Sequence, residues 1–183
     1  MSDLRLSGGL LRGRKIAVPE LARPTESRVR EALFSIWGEA IEGARVLDLF
    51  AGSGAIGFEA LSRGARAVVL VDSSKQAAAT LGQSREKLGI AKNDAQILTA
   101  ALPVRKLPVL GRFELIFADP PYTFERYEEL LRMVEPLLAE GGEFVLEHAA
   151  KSPLPAACGS LSLNDERKYG GSALGFYRAA AIA

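Results

Sequence analysis

Apolar positions along this chain switch repeatedly between short continuous runs and a spacing of three to four residues, the signature of strands alternating with helices. Runs at 45–50, 67–71, 96–99, 113–118 and 143–147 predict five buried strands. Helical spacing predicts four helices between and before them. Val29, Leu33, Ile36 and Trp37 carry one from Thr25 through Ile41, with Thr25 as its cap. A second leaves the glycine-rich turn 51–57 and ends near Arg63-Gly64, and a third runs from Ser73 or Ser74 to Leu88, stopped by Gly89. The fourth spans 124–139, with Tyr127, Leu130, Leu131, Val134, Leu137 and Leu138 on one face and Gly141-Gly142 as its stop.

Two hairpins bracket this alternation. Residues 4–18 read as two short strands around Ser7-Gly8-Gly9, and 161–168 with 173–179 as a closing pair around Tyr169-Gly170-Gly171. Residues 151–159, with two prolines, are too short and broken for another helix. The expected fold is α/β: a Rossmann-like, doubly wound, seven-stranded and mostly parallel sheet, with a small N-terminal β-hairpin and helix extension. The expected division is a basic hairpin appendage at 1–22 and the main domain at 23–183.

Composition adds little to this picture and charge distribution adds more. With 183 residues, 48% hydrophobic and 25% charged, the chain has the make-up of an ordinary folded cytoplasmic protein. No membrane span or secretory leader is expected, and a single cysteine, Cys158, excludes a disulfide framework or a cysteine-rich metal site. Seven of the cations fall within residues 1–30, against three acids, so that segment is +4 and the remainder −3. Arg12, Arg14 and Lys15 on the exposed second arm of the hairpin are therefore candidates for phosphate contact.

The central run, F-E-L-I-F-A-D-P-P-Y, ends abruptly at Asp119. Pro120 and Pro121 lack backbone donors and fix φ, so the ladder stops and the chain is held stiffly beyond the strand's carboxyl end. A carboxylate, freed carbonyls and the ring of Tyr122 emerge together. That set suits methylation of an exocyclic amine on a nucleobase, whose lone pair is delocalised until its hydrogens are held by acceptors. Asp119 and the Pro120 carbonyl could accept both, and Tyr122 offers a stacking face.

Gly52-x-Gly54-x-x-Gly57, with Asp72 twenty positions after Gly52, satisfies the dinucleotide pattern literally. It is shared by nicotinamide, flavin and sulfonium cofactors. Asp48, close to the loop, would repel a pyrophosphate and attract a cationic amino-acid group, which favours S-adenosylmethionine over a nicotinamide. His148 and Glu147 read as strand-end residues and Cys158 as an inert thiol. A nicotinamide-dependent oxidoreductase and a non-catalytic RNA-binding module remain as alternatives.

V-L-D-L-F-A-G-S-G-A-I-G followed by D-P-P-Y resembles the amino-group methyltransferases that use S-adenosylmethionine. The blocks L-S-G-G-x-x-R-G-R-K, R-P-T-E-S-R-V-R-E-A-L-F-S-I-W, E-A-L-S-R-G-A and R-K-Y-G-G-S-A-L-G-F-Y-R narrow this to a resemblance to the RsmD family, over nearly the whole chain. The resemblance implies a class I methyltransferase domain acting on N2 of a guanine in bacterial small-subunit ribosomal RNA by direct in-line displacement. Adenine N6 in DNA or RNA, or glutamine in protein, could use a similar tetrapeptide, and only these flanking blocks select guanine in RNA.

It also implies Asp119, Pro120, Pro121 and Tyr122 at the base. Thr25, Arg28, Asp48, Phe50, Gly52, Ser53, Gly54, Asp72, Ser73, Ala101 and Asp119 are implied at the cofactor, and the basic hairpin on RNA. An acid or amide commonly follows the third strand of such folds to hold the adenine, but here stands Thr99-Ala100-Ala101. The implied partner is ribosomal RNA within a small-subunit particle, bound by a cytoplasmic monomer with no metal.

Overall fold

Five runs rich in apolar residues form the parallel part of the main sheet in the computed structural model, which describes residues 3–18, 27–108 and 111–179. These strands are β3 (Arg45–Leu49), β4 (Ala67–Asp72), β5 (Ala95–Thr99), β6 (Phe113–Ala118) and β7 (Leu138–Ala149). All pair in parallel, which requires both faces to be covered. On one face lie α1 (Ser27–Trp37), α2 (Ala55–Ser62) and α3 (Lys75–Leu88), contributing Leu33, Phe58 and Leu81 to a shared core. On the other, α4 (Tyr127–Val134) contributes Leu130 and Val134, and the connection before β6 contributes Leu107.

The sheet order is β5-β4-β3-β6-β7-β10-β9-β8, where β8 is Ala157–Cys158, β9 Leu161–Tyr169 and β10 Ser172–Ala179. Order reverses between β3 and β6, so a crevice opens at their carboxyl ends. The seven expected strands are present, and β8 adds a two-residue eighth at the antiparallel edge. Among the described residues, no helix is long and apolar enough to cross a membrane.

Two elements depart from the pattern read in the sequence. The fourth helix is eight residues rather than sixteen, because Pro136 converts its end to a 3-10 turn over Glu135–Leu137. The expected stop at Gly141-Gly142 instead lies inside β7. A Cβ on Gly142 would come 2.9 Å from the Glu114 carbonyl oxygen, so glycine there serves a close strand approach at a register shift.

The first hairpin also closes differently. Strands β1 (Asp3–Arg5) and β2 (Lys15–Ala17) pair Arg5 with Lys15, leaving residues 6–14 as a nine-residue loop instead of a turn at Ser7-Gly8-Gly9. That loop folds onto the end of α2: Leu10 donates its N–H to the Ser62 carbonyl at 2.7 Å, and Ser62 Oγ donates to the Gly8 carbonyl. Gly9, at φ 75°, lies so near that a Cβ would fall 1.8 Å from the Ser62 oxygen. Glu59, fully buried, accepts from Ser7 and Arg63 and pairs with Arg30 at 3.2 Å. The hairpin's Leu6 and Ile16 join the core that holds Val29 and Phe58. Arg30, near the start of α1, thus has its acid within the chain.

Candidate active site

Asp72 organises the mouth of the crevice. Its two carboxylate oxygens accept from Gly52 N–H and Ser74 N–H, each at 2.9 Å. Ser74 in turn caps α3 by accepting from Ala77 N–H. Beneath the floor, Asp48 is buried and accepts from Gly57 N–H at 3.0 Å, which satisfies a donor of the first turn of α2. Gly57 permits this contact because a Cβ there would lie 2.5 Å from the Leu70 side chain. Burial raises the Asp48 pKa well above the usual carboxylate range, opposed by the Gly57 bond and reinforced by the charges of Asp119 and Asp72.

Those bonds decide what the glycine loop can receive. In a pyrophosphate site, loop N–H groups point at the ligand. Here Gly52 and Gly57 already donate to carboxylates, and Gly54 N–H bonds the Ala51 carbonyl at 2.7 Å. Asp72 and Asp119 line the crevice, close enough for their charges to act on the buried Asp48, and no lysine or arginine lines it among the described residues. The site favours a cation with no phosphate.

The cavity has a volume of about 650 Å³. Phe50 and Phe124 form its aromatic wall, edge to face at 5.6 Å between centroids. Phe50 reaches it from a left-handed backbone, φ 59°, a conformation bulky side chains seldom adopt outside functional sites. The tetrapeptide that leaves β6 adds to the lining: Asp119, Pro120, Pro121 and Tyr122 all face the cavity. A turn closed by Phe124 N–H on the Pro121 carbonyl, 2.8 Å, returns Phe124 to the cavity. Tyr122 is 43% exposed, with its hydroxyl 2.8 Å from Ser172 Oγ.

Of the expected cofactor positions, Phe50, Gly52, Asp72, Ser73, Ala101 and Asp119 line this cavity. Asp48 and Ser53 are buried outside its lining, and Gly54 packs against Leu81 and Phe58. Arg28 is exposed on α1 and is not in the lining, whereas Thr25 lies outside the described residues. Sequence reasoning missed Ser74, Gln76, Ala77, Leu102 and Phe124 as lining residues. Phe124 falls in the stretch whose spacing predicts helix, but that helix begins only at Tyr127.

The hairpin cations stand elsewhere. Leu10 and Arg14 bond Ser62 and Lys87, at the far ends of α2 and α3, and both helices start at the crevice. Arg12 and Arg14, both exposed, therefore sit at the opposite rim of the sheet. Lys15, half-buried, opens β2 beside them. His148 is buried, with Nδ1 3.0 Å from the Ser152 carbonyl, and burial lowers its pKa.

The family model described as "Conserved hypothetical protein 95" matches residues 4–178. Ribosomal RNA small subunit methyltransferase D of Escherichia coli K12 is 33% identical over 182 residues, covering 96% of this chain and 90% of that protein. Its namesake in Haemophilus influenzae is 36% identical over 136 residues, 72% of this chain and 70% of its own length. The solved structure of yhhF from Escherichia coli superposes with a TM-score of 0.84 at 31% identity, covering 98% of this chain and 99% of that one. With a cavity built on strand-end acids, a family model over residues 4–178 and a relative covering 96% of its length, the chain belongs to the RsmD family, to which the Escherichia coli and Haemophilus influenzae ribosomal RNA small subunit methyltransferases D also belong.

Proposed function

We propose that this chain methylates the exocyclic N2 of a guanine in small-subunit ribosomal RNA, with S-adenosylmethionine as donor. The observation that carries the donor assignment is the occupation of the Gly52 and Gly57 N–H groups by Asp72 and Asp48, which leaves acids facing an aromatic-walled cavity. S-adenosylmethionine suits that environment and, when bound, supplies a methyl group on a sulfonium. Asp72 would hold its ribose hydroxyls, Phe50 and Ala101 its adenine, and the acids its cationic end. With Ala101 in place of a polar side chain, adenine is held by packing and backbone groups.

Asp119 and the Pro120 carbonyl accept the two amine hydrogens, which localises the nitrogen lone pair. The charged acceptor gives the stronger bond. Tyr122 stacks on the base after it leaves its helix, a step that costs on the order of a few kcal/mol. Positioning supplies most of the acceleration: with the donor bound, its methyl group would pass to nitrogen by direct in-line displacement as the bond to sulfur breaks to leave a neutral thioether, and the proton lost from nitrogen would pass to water. Cys158 is buried against the Glu128 carbonyl, 3.6 Å away, on the α4 side of the sheet, and is no nucleophile for a covalent intermediate.

The substrate is ribosomal RNA in a small-subunit particle, and the working unit a cytoplasmic monomer. Incubation with methyl-labelled donor and particles lacking the modification, followed by nucleoside mass spectrometry, tests this. N2-methylguanosine is expected. Label in N6-methyladenosine, or none in RNA, would overturn the assignment.

A further inference from the structure

Tyr122 stands at the cavity mouth with almost half its surface in water, after two prolines that stiffen the chain but leave its side-chain torsions free. An aromatic platform so exposed would sample several rotamers, most of them turned from the cavity. A contact from a distant part of the chain helps fix it: its hydroxyl lies 2.8 Å from Ser172 Oγ, fifty residues away.

Ser172 is built as a fixed point. It opens β10 and is 2% exposed. Its backbone is paired on one side with Ala149 of β7 and on the other with Tyr169 of β9. The neighbouring Gly171 carbonyl accepts from Ala150 N–H at 2.9 Å, which ties the hairpin tip to the end of β7. A buried hydroxyl needs a partner, and this one finds it in a residue at the mouth of the site.

Resting on the methyltransferase reading above, we propose that Ser172 is a positioning residue: through the Tyr122 hydroxyl it holds the ring as the stacking face for the incoming base. The closing hairpin thereby takes part in substrate recognition, although none of its described residues lines the cavity. Ordering the ring beforehand spares the base that cost on arrival. The effect belongs to RNA binding and to transfer, not to the donor.

Tyr122→Phe, Ser172→Ala and the double variant test this, each measured for RNA KM, kcat and donor Kd. Each single variant is expected to raise KM for RNA about three- to tenfold, the worth of one hydrogen bond, with donor Kd and melting temperature unchanged. The double variant should be no worse than either single one, because both remove the same bond. Additive effects, or a wild-type KM in Tyr122→Phe, would overturn the inference. Tyr122→Phe carries the test should Ser172→Ala fold poorly. Absence of RNA methylation by the wild type would remove the proposed function and this inference together, whereas wild-type transfer with unaffected variants would remove this inference alone.

Discussion

Asp48 is sealed beneath the crevice with one bond to Gly57 N–H and two acids nearby, so its ionised form is costly until a cation arrives. Because its folded pKa lies above the unfolded value, its ionisation takes stability away as pH rises through the folded pKa, and leaves stability intact in acid. Asp48→Asn should therefore melt higher than wild type at neutral pH without donor, the advantage shrinking toward pH 4. The same variant should bind S-adenosylmethionine more weakly. Thermal melts across pH 4 to 8 check the first expectation, and a variant less stable at neutral pH contradicts it. Asp72 and Asp119 were legible because each ends an apolar run. Phe124 was not, since only the turn closed on the Pro121 carbonyl brings it back to the cavity.

The first hairpin shows what element-level reading could and could not supply. Its two strands were visible, but Ser7, Gly8 and Gly9 serve the approach to Ser62 and Arg63 rather than a tight turn. The partner of a close-packed glycine is distant in sequence, so spacing alone does not reveal it. The same holds for Gly142 in β7, which reads as a helix stop because its contact is the Glu114 carbonyl. Since α3 has fourteen residues, Arg14 at its far end lies about 20 Å from the crevice. A cation there reaches RNA only if the substrate spans both rims. Changing Arg12 and Arg14 to alanine should weaken RNA binding and lower the salt slope by roughly 0.7 to 0.9 for each phosphate no longer neutralised. Titration across salt concentrations measures it; an unchanged slope would show that this loop does not touch phosphate.

At the scale of the molecule, the reversal of strand order between β3 and β6 brings together motifs more than sixty residues apart. Alternation of strand and helix was enough to foresee this crevice, because parallel strands bring their carboxyl ends to one rim. The antiparallel edge was legible as a hairpin, but its link to the site through Ser172 was not, since nothing local marks that hydroxyl as Tyr122's partner. The central claim is that Asp119 orients the amine beside a donor held by the acids and aromatic wall. Single-turnover transfer to small-subunit RNA by Asp119→Ala, with donor affinity measured calorimetrically on the same protein, tests it most directly. A loss of about a hundredfold or more in rate, with donor affinity within a few-fold of wild type, is predicted. Transfer at the wild-type rate would contradict the account.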